Sequence, residues 1–332
     1  MHAIRLHAFG PPENLTHEEL PDPEPGPGQV RIAVEASGVH VLDAFIRSGA
    51  GGGPMPLPEL PTIPGREVAG TVEALGEGTE ESWLGRRVVV HLGMVPGGYA
   101  SRAVADAAGL QPVPDGLTLP AAVAMIGTGR TVMGVLRDAE IAPGDTVLVL
   151  SAAGGMGALL VQYARHKGAR VIGAASGGAK GALVSDLGAD LAVDYTRGDW
   201  PDRITEAYGP HAVHHVFDGA GGAAGRAALP LLARGGTRYA YSRPLAESGD
   251  EAEAAAEEAA LAAGLAAHGV TVHALEGPRM LALKRELENE SLALAAKGVL
   301  TPLVQTFPLA EAGAAHRALE TRTASGKVVL VP

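Results

Sequence analysis

The stretch that decides the fold runs from Asp145 to Ala175, DTVLVLSAAGGMGALLVQYARHKGARVIGAA. Thr146 to Leu150 is a short apolar run, the pattern of a strand buried on both faces. A small-residue turn follows, Ser151-Ala152-Ala153-Gly154-Gly155-Met156-Gly157. Ala158 to His166 then carries apolar residues at helical spacing, Gly168 stops that run, and Arg170 to Ala174 reads as a second apolar strand. This order is a βαβ unit with its glycines at the first strand-to-helix junction. Small residues permit the tight turn, Gly154 lets backbone approach a pyrophosphate, and Gly157 lets the helix pack close to the strand. The helix N-terminus adds N–H groups and partial positive charge for phosphates. Ala152 stands where the first glycine of the usual fingerprint would be. The sequence of elements, rather than the glycine count, therefore carries the reading.

Strand and helix patterns alternate beyond this unit. Gly181 to Leu187 reads as a helix, Leu191 to Tyr195 as a strand, and Val213 to Asp218 as another strand ending at a glycine-rich turn. Ala223 to Leu232 is helical, Gly235 to Tyr241 turns into a strand, and Val270 to Leu275 is strand-like. Such alternation predicts a doubly wound parallel sheet. The Ala- and Glu-rich run Asp250 to His268 and the run Arg279 to Lys297 read as helices.

The first 122 residues differ. They alternate at period two in Met1 to Phe9, Gln29 to Ser37, Glu67 to Leu75 and Arg86 to His91, with turns rich in Gly and Pro between them. Gly38 to Gly49 reads as a loop entering a short helix. The tail from Thr301 returns to short strands around a helix at Leu309 to Glu320. The chain thus reads as a β-rich domain over 1–122, completed by 299–332, with the cofactor domain 123–298 inserted into it.

Composition narrows the partners. In 332 residues the net charge is −11, 46% of residues are hydrophobic, and cysteine is absent. A net acidic chain is a poor match for nucleic acid or an anionic membrane surface, whereas an anionic cofactor needs only a local positive site. Thiolate nucleophiles, disulfides and Cys-ligated zinc are excluded. No apolar run of signal-peptide or bilayer-spanning length stands out, so a cytoplasmic location is expected.

Several blocks together resemble the zinc-independent, zeta-crystallin-like quinone oxidoreductases of the medium-chain dehydrogenase/reductase superfamily. They are ASGVHVLDAFIRSG (36–49), PGREVAGTVEALGEG (64–78), GGYA (97–100), APGDTVLVLSAAGGMG (142–157), LGADLAVDY (187–195), VFDGAGG (216–222) and GKVVLVP (326–332). The resemblance implies an α/β protein with a GroES-like β-barrel domain, an inserted Rossmann-type sheet and an active-site cleft between the two. It also implies a homodimer through edge strands, with Val270 to Leu275 as the candidate edge. Zinc-using relatives carry Gly-His-Glu where this chain has Gly65-Arg66-Glu67. A guanidinium offers donors and no lone pair, so no metal is expected.

The cofactor follows from the end of the second strand. NAD-specific sites place a carboxylate there; this chain has Ala175, then Ser176 and, further on, Lys180. One charge-assisted contact to a 2′-phosphate is worth roughly 1.5–3 kcal/mol, enough to favour NADPH. By family position Tyr195 lies at the adenosine phosphate, Thr131 and Arg322 contact the cofactor, and Tyr241 with Ser242 lies near the nicotinamide. The turn residues Ala153, Gly154, Gly155, Met156 and Gly157 complete the expected cofactor site. The loop at 40–49 lies at the cleft in relatives, where it usually carries asparagine, aspartate and tyrosine; here it has His40, Asp43 and Phe45. Phe45 excludes a tyrosine proton donor at its position. His40 is a residue type suited to giving a proton to the reduced acceptor near neutral pH, and serves equally well as a packed loop residue. Arg66 could polarise a carbonyl or simply form an ion pair.

The function so implied is hydride transfer from NADPH to a quinone or other α,β-unsaturated carbonyl, without metal. The alternatives are an enoyl-thioester or alkenal reductase, and a nucleotide-binding structural or redox-sensing protein without turnover.

Overall fold

The computed structural model describes residues 1–50, 57–93, 95–241, 259, 263, 265–266 and 269–332. The expected helix at Asp250 to His268 falls mostly outside them, as does Ser242. The chain divides into two compact units. One holds Met1–Arg130, Glu288–Gly298 and Pro302–Pro332; the other holds Thr131–Leu287 and Val299–Thr301. These limits differ from the 122/123 and 298/299 expected from the sequence. The shift has a packing cause: the buried Ser291 hydroxyl donates to the Met125 carbonyl at 2.9 Å, which ties both segments to the first unit.

The second unit is built on a six-stranded sheet in which every pairing is parallel. In spatial order the strands are Leu191–Asp194, Arg170–Ala175, Thr146–Leu150, Val213–Asp218, Leu232–Ala240 and Thr271–Ala274. Thr146–Leu150 is the first of these strands in chain order, lies at the reversal point between Arg170–Ala175 and Val213–Asp218, and is buried at all five positions. The helix Gly155–His166 follows it directly. A helix at Trp200–Tyr208, which the sequence reading did not register, covers the sheet through buried Trp200 and Ile204. The Arg279 to Lys297 run is not one helix but two, Gly277–Ala282 and Lys284–Ala296, interrupted at Leu283.

The first unit carries a seven-stranded sheet. Its path is Val304–Pro308, Lys327–Val331, Gln29–Gly38, Glu67–Leu75, Arg87–His91 and Gln111–Pro112, with Arg102–Asp106 paired to Gln29–Gly38. The C-terminal strand therefore sits beside an N-terminal one, with Val329 opposite Gly38. The strand at Leu15–Glu19, paired antiparallel with His2–Leu6, is one the sequence reading did not register.

One apolar helical run, Leu119–Leu136, has the length and composition to cross a bilayer, contrary to the sequence reading. It is 72% buried inside the protein, as a core helix would be. Its middle is a π-helical turn, Met125–Gly129.

Candidate active and nucleotide sites

The turn at 151–157 behaves as its residues require. A Cβ on Gly157 would lie 2.2 Å from the Ser151 carbonyl oxygen and 2.8 Å from the Ala152 Cα. Both are backbone atoms that cannot yield, so helix and strand approach only because Gly157 has no side chain. Gly154 is the N-cap of the helix and no side chain caps it, which leaves N–H groups of the first turn for a ligand. Ala153 is buried, while Gly154, Gly155 and Met156 are half-buried.

The next strand ends at buried Ala175, followed by half-buried Ser176 and by Gly177 with φ of 77°. Lys180 is half-buried in the helix Gly178–Asp186, and burial pulls its ammonium below the usual lysine range. The corner does hold a carboxylate, which the sequence reading missed because it lies on the neighbouring strand. Asp194 pairs in register with Ala175. Its Oδ1 accepts from the Thr196 backbone N at 3.0 Å and hydroxyl at 2.6 Å, and these bonds with one from Gly177 hold it below the usual carboxylate range. Tyr195 packs partly buried against the sheet's apolar core. Past the carboxyl end of the strand Leu232–Ala240 the Tyr241 hydroxyl is buried and has no partner among the described residues. It stands over Gly219, where a Cβ would lie 2.6 Å from it, and burial pushes its phenol far above the usual range. Thr131 is half-buried in the helix Arg130–Leu136. The uncapped turn, the corner with Ser176 and Lys180, and the unpartnered hydroxyl together fit a dinucleotide.

The remaining predicted residues belong to the first unit. His40 precedes the helix Val41–Ser48, and its backbone N–H donates to Asp43 Oδ2 at 2.8 Å, the N3 carboxylate closing the helix start. Asp43 is buried and also accepts from the Tyr99 hydroxyl at 3.1 Å, with Arg66 Nε 3.8 Å from its other oxygen. Tyr99 in turn contacts His316 Nε2 at 3.1 Å; burial pushes the His316 imidazole down to about 4. Asp43 is thus engaged by the protein itself. Phe45 is half-buried on the same helix, and Arg322 is exposed with φ of 55° just past the helix Ala312–Glu320.

The feature the sequence reading missed is Glu67. It is fully buried, with His40 Nε2 2.6 Å from Oε1 and Lys327 Nζ 3.0 Å from Oε2. Lys327 Nζ is also 2.8 Å from His40 Nε2. Burial alone would raise the Glu67 carboxyl, but the neighbouring charges of His40 and Lys327 win and hold it well below the usual range. His91 completes the cluster; burial drives its imidazole down to about 3, with Arg130 and Arg66 adding to the effect against the pull of Glu67. The signal available in sequence was a lysine opening a buried strand, KVVLV at 327–331.

Two family models match the chain, "Alcohol dehydrogenase GroES-like domain" over residues 26–115 and "Zinc-binding dehydrogenase" over 187–330. The 2-haloacrylate reductase of a Burkholderia species is 33% identical over 99% of this chain and 98% of its own. The quinone oxidoreductase of Salmonella typhimurium is 31% identical over 99% of both. This chain belongs to the quinone oxidoreductase family of medium-chain dehydrogenases/reductases. Among solved structures, the Escherichia coli quinone oxidoreductase complexed with NADPH superposes with a TM-score of 0.83 at 28% identity over all of both chains. A mycobacterial protein complexed with NADPH gives 0.81 at 34% identity, again over all of both chains. The GroES-like unit and the Rossmann-type parallel sheet expected from sequence are those of the quinone oxidoreductase family.

The donor set here does not fit the zinc of the second model's description. Tetrahedral zinc needs donors about 2.0–2.3 Å from the metal, which keeps them more than 3 Å from one another. His40 and Glu67 are closer than that, the Lys327 ammonium touches both, and Arg66 has no lone pair to offer. Among the described residues no group of three His, Cys, Asp or Glu side chains is placed to hold a metal.

Proposed function

We propose that this protein is a cytoplasmic, metal-independent reductase that uses NADPH to reduce quinones and other acceptors whose C=C bond is conjugated to a carbonyl. The observation that carries the reading is the glycine turn, where Gly157 brings an uncapped helix N-terminus against the strand and leaves it open to phosphates. Ser176 and Lys180, with Ala175 in place of a carboxylate, favour the 2′-phosphate of NADPH over the free hydroxyl of NADH. Asp194 keeps a negative charge at this corner, but its Oδ1 accepts from Thr196 and is not offered to a ribose hydroxyl. The Tyr241 hydroxyl is a donor in want of an acceptor and suits the nicotinamide end; Thr131, Tyr195, Ser242 and Arg322 are proposed as further cofactor contacts. Bound there, the nucleotide supplies a hydride.

The relatives named above act on quinones and on a 2-haloacrylate, acceptors that share a conjugated alkene. Reduction of such an acceptor needs a proton as well as a hydride. His40, 27% exposed at its side chain, is proposed to give it, with Asp43 fixing the start of its helix and Arg66 drawing charge toward the acceptor oxygen. We further propose a homodimer through the edge strand Thr271–Ala274, where Val272 and Leu275 are exposed.

The test is NADPH oxidation against a panel of 1,4-benzoquinones and enones, with NADH in parallel. Turnover with a preference for NADPH is the expected result. Saturable NADPH binding with no turnover on any acceptor would instead mark a nucleotide-binding protein.

A further inference from the structure

His91 stands directly opposite Glu67 in the antiparallel pair Glu67–Leu75 and Arg87–His91. The residue after it, Leu92, donates its N–H to the Arg66 carbonyl at 2.8 Å. Residues opposite one another in such a pair present their side chains on the same face. The imidazole of His91 therefore lies on the face that carries Glu67 and, around it, His40 and Lys327.

The ring proton of His91 has one place to go. The Gly93 backbone N–H donates to His91 Nδ1 at 3.0 Å. A backbone N–H can only give, so Nδ1 holds a lone pair and the single proton of the neutral ring is on Nε2. An imidazolium would set two N–H groups against each other at that contact. Gly93 makes the bond possible through its φ of 76°, a conformation that residues with a side chain disfavour. Burial keeps the ring neutral, with Arg130, His40 and Arg66 adding to the effect and Glu67 opposing it. The Nε2–H has no acceptor among the described residues and is not sealed from solvent. A polar group so placed is one that a ligand oxygen can satisfy.

We propose that His91 is a catalytic residue that donates a hydrogen bond from Nε2–H to the carbonyl oxygen of the acceptor. The role rests on the reading of the protein as a reductase of conjugated carbonyls, and it joins His91 to Arg66 at that oxygen. Hydride addition forms a C–H bond at the β-carbon and moves the C=C pair between the α-carbon and the carbonyl carbon. The carbonyl π pair moves onto oxygen, which becomes the oxyanion of an enolate. The Nε2–H holds that charge and keeps its proton, because a neutral imidazole is a far weaker acid than an imidazolium. The proton that completes the reaction arrives separately. A donor fixed in advance serves such an oxyanion better than water, which must reorient as the charge develops.

Two substitutions test this with NADPH and two acceptors, cyclohex-2-enone and 1,4-benzoquinone. His91→Leu removes the donor. It should lower kcat for the enone about 10²–10³-fold, the cost of losing one oxyanion donor, and leave the KM for NADPH within about twofold. The loss should be smaller for the quinone, whose reduced anion is an aromatic phenolate and less basic than an enolate. A merely structural role would slow both alike. His91→Gln keeps an amide oxygen for the Gly93 N–H and an N–H of different reach. It should fold even where His91→Leu does not, and show the same order, with the enone slowed more than the quinone. The nucleotide-free protein gives an independent reading, in which ring 15N NMR at pH 7 should find His91 as the neutral Nε2–H tautomer. Full activity of His91→Leu, equal losses for the two acceptors, or a ring protonated at Nδ1 overturns the proposal while leaving the reductase reading intact. If the unaltered protein reduces neither acceptor, the proposed function fails and this role of His91 falls with it.

Discussion

The glycine turn at 151–157 and the charged cluster around Glu67 are both tightly packed, yet they are built from opposite materials. The turn is backbone against backbone, with Gly157 pressed on the Ser151 carbonyl, and its residues are consecutive in the chain. The cluster is side chain against side chain, drawn from positions 40, 67, 91 and 327 on separate strands and a helix start. A steric site of the first kind fails by clash when altered. An electrostatic site of the second kind fails by leaving a charge without its counterpart. The two therefore respond to different perturbations, and each can be disturbed alone.

The largest expected effect is in the cluster. Glu67→Gln keeps shape and volume but leaves Lys327 buried without its anion, and breaking a buried pair this way typically costs about 3–5 kcal/mol. Urea denaturation should register that loss. A cost below about 1 kcal/mol would mean that water reaches the site and that the cluster is no buried ion pair.

The turn comes next. Gly157→Ala puts a methyl into two backbone contacts that cannot move aside, for an expected loss of about 1–3 kcal/mol. NADPH affinity should fall with it, because helix and strand must separate. Unchanged binding measured by calorimetry would show that the nucleotide does not depend on this junction.

The contrast also explains what could be read from the sequence. The six-stranded sheet was legible because its central strands Thr146–Leu150 and Arg170–Ala175 are local apolar runs between turn residues, and the glycine turn because its geometry is written in adjacent residues. The Glu67 cluster was not, since Glu67 looked like one more residue of a period-two strand and Lys327 like the start of another. Their meeting depends on the pairing of the strand Lys327–Val331 beside Gln29–Gly38, a contact almost three hundred residues apart. The helix Trp200–Tyr208 was missed for a milder reason: its apolar positions are few, with Trp200 and Ile204 alone buried. The π turn at Met125–Gly129 reads as plain helix in sequence, because hydrophobic spacing does not distinguish the two over a single turn.

Acid pH sharpens the comparison further. His91 and His316 are held neutral by burial, with imidazoles lowered to about 3 and about 4 from 6.5. The unfolded chain binds more protons than the folded one between the two values, so stability rises with pH there. It should fall as pH drops below about 6.5, by up to about 1.4 kcal/mol per pH unit for each histidine. Replacing His91 by glutamine should flatten that slope between pH 6 and 4. The Glu67 contribution has its own window. Its folded pKa is depressed, so its stabilisation is present above the unfolded value of 4.5 and is lost as pH falls through the folded one.

The smallest effect belongs to the nucleotide corner. Lys180→Ala should weaken NADPH binding about tenfold, the worth of roughly one charge-assisted contact, and leave NADH nearly untouched. Equal losses for both nucleotides would remove the 2′-phosphate from the account of Lys180.

The most direct test of the central claim is isotopic. Protein dialysed against a chelator is given NADPH carrying deuterium on both hydrogens at C4 of the nicotinamide, together with an enone, and the product is weighed by mass spectrometry. The account predicts one deuterium on the β-carbon of the saturated ketone, formed at the same rate with or without added zinc. An unlabelled product, or labelling that appears only once zinc is restored, would contradict it.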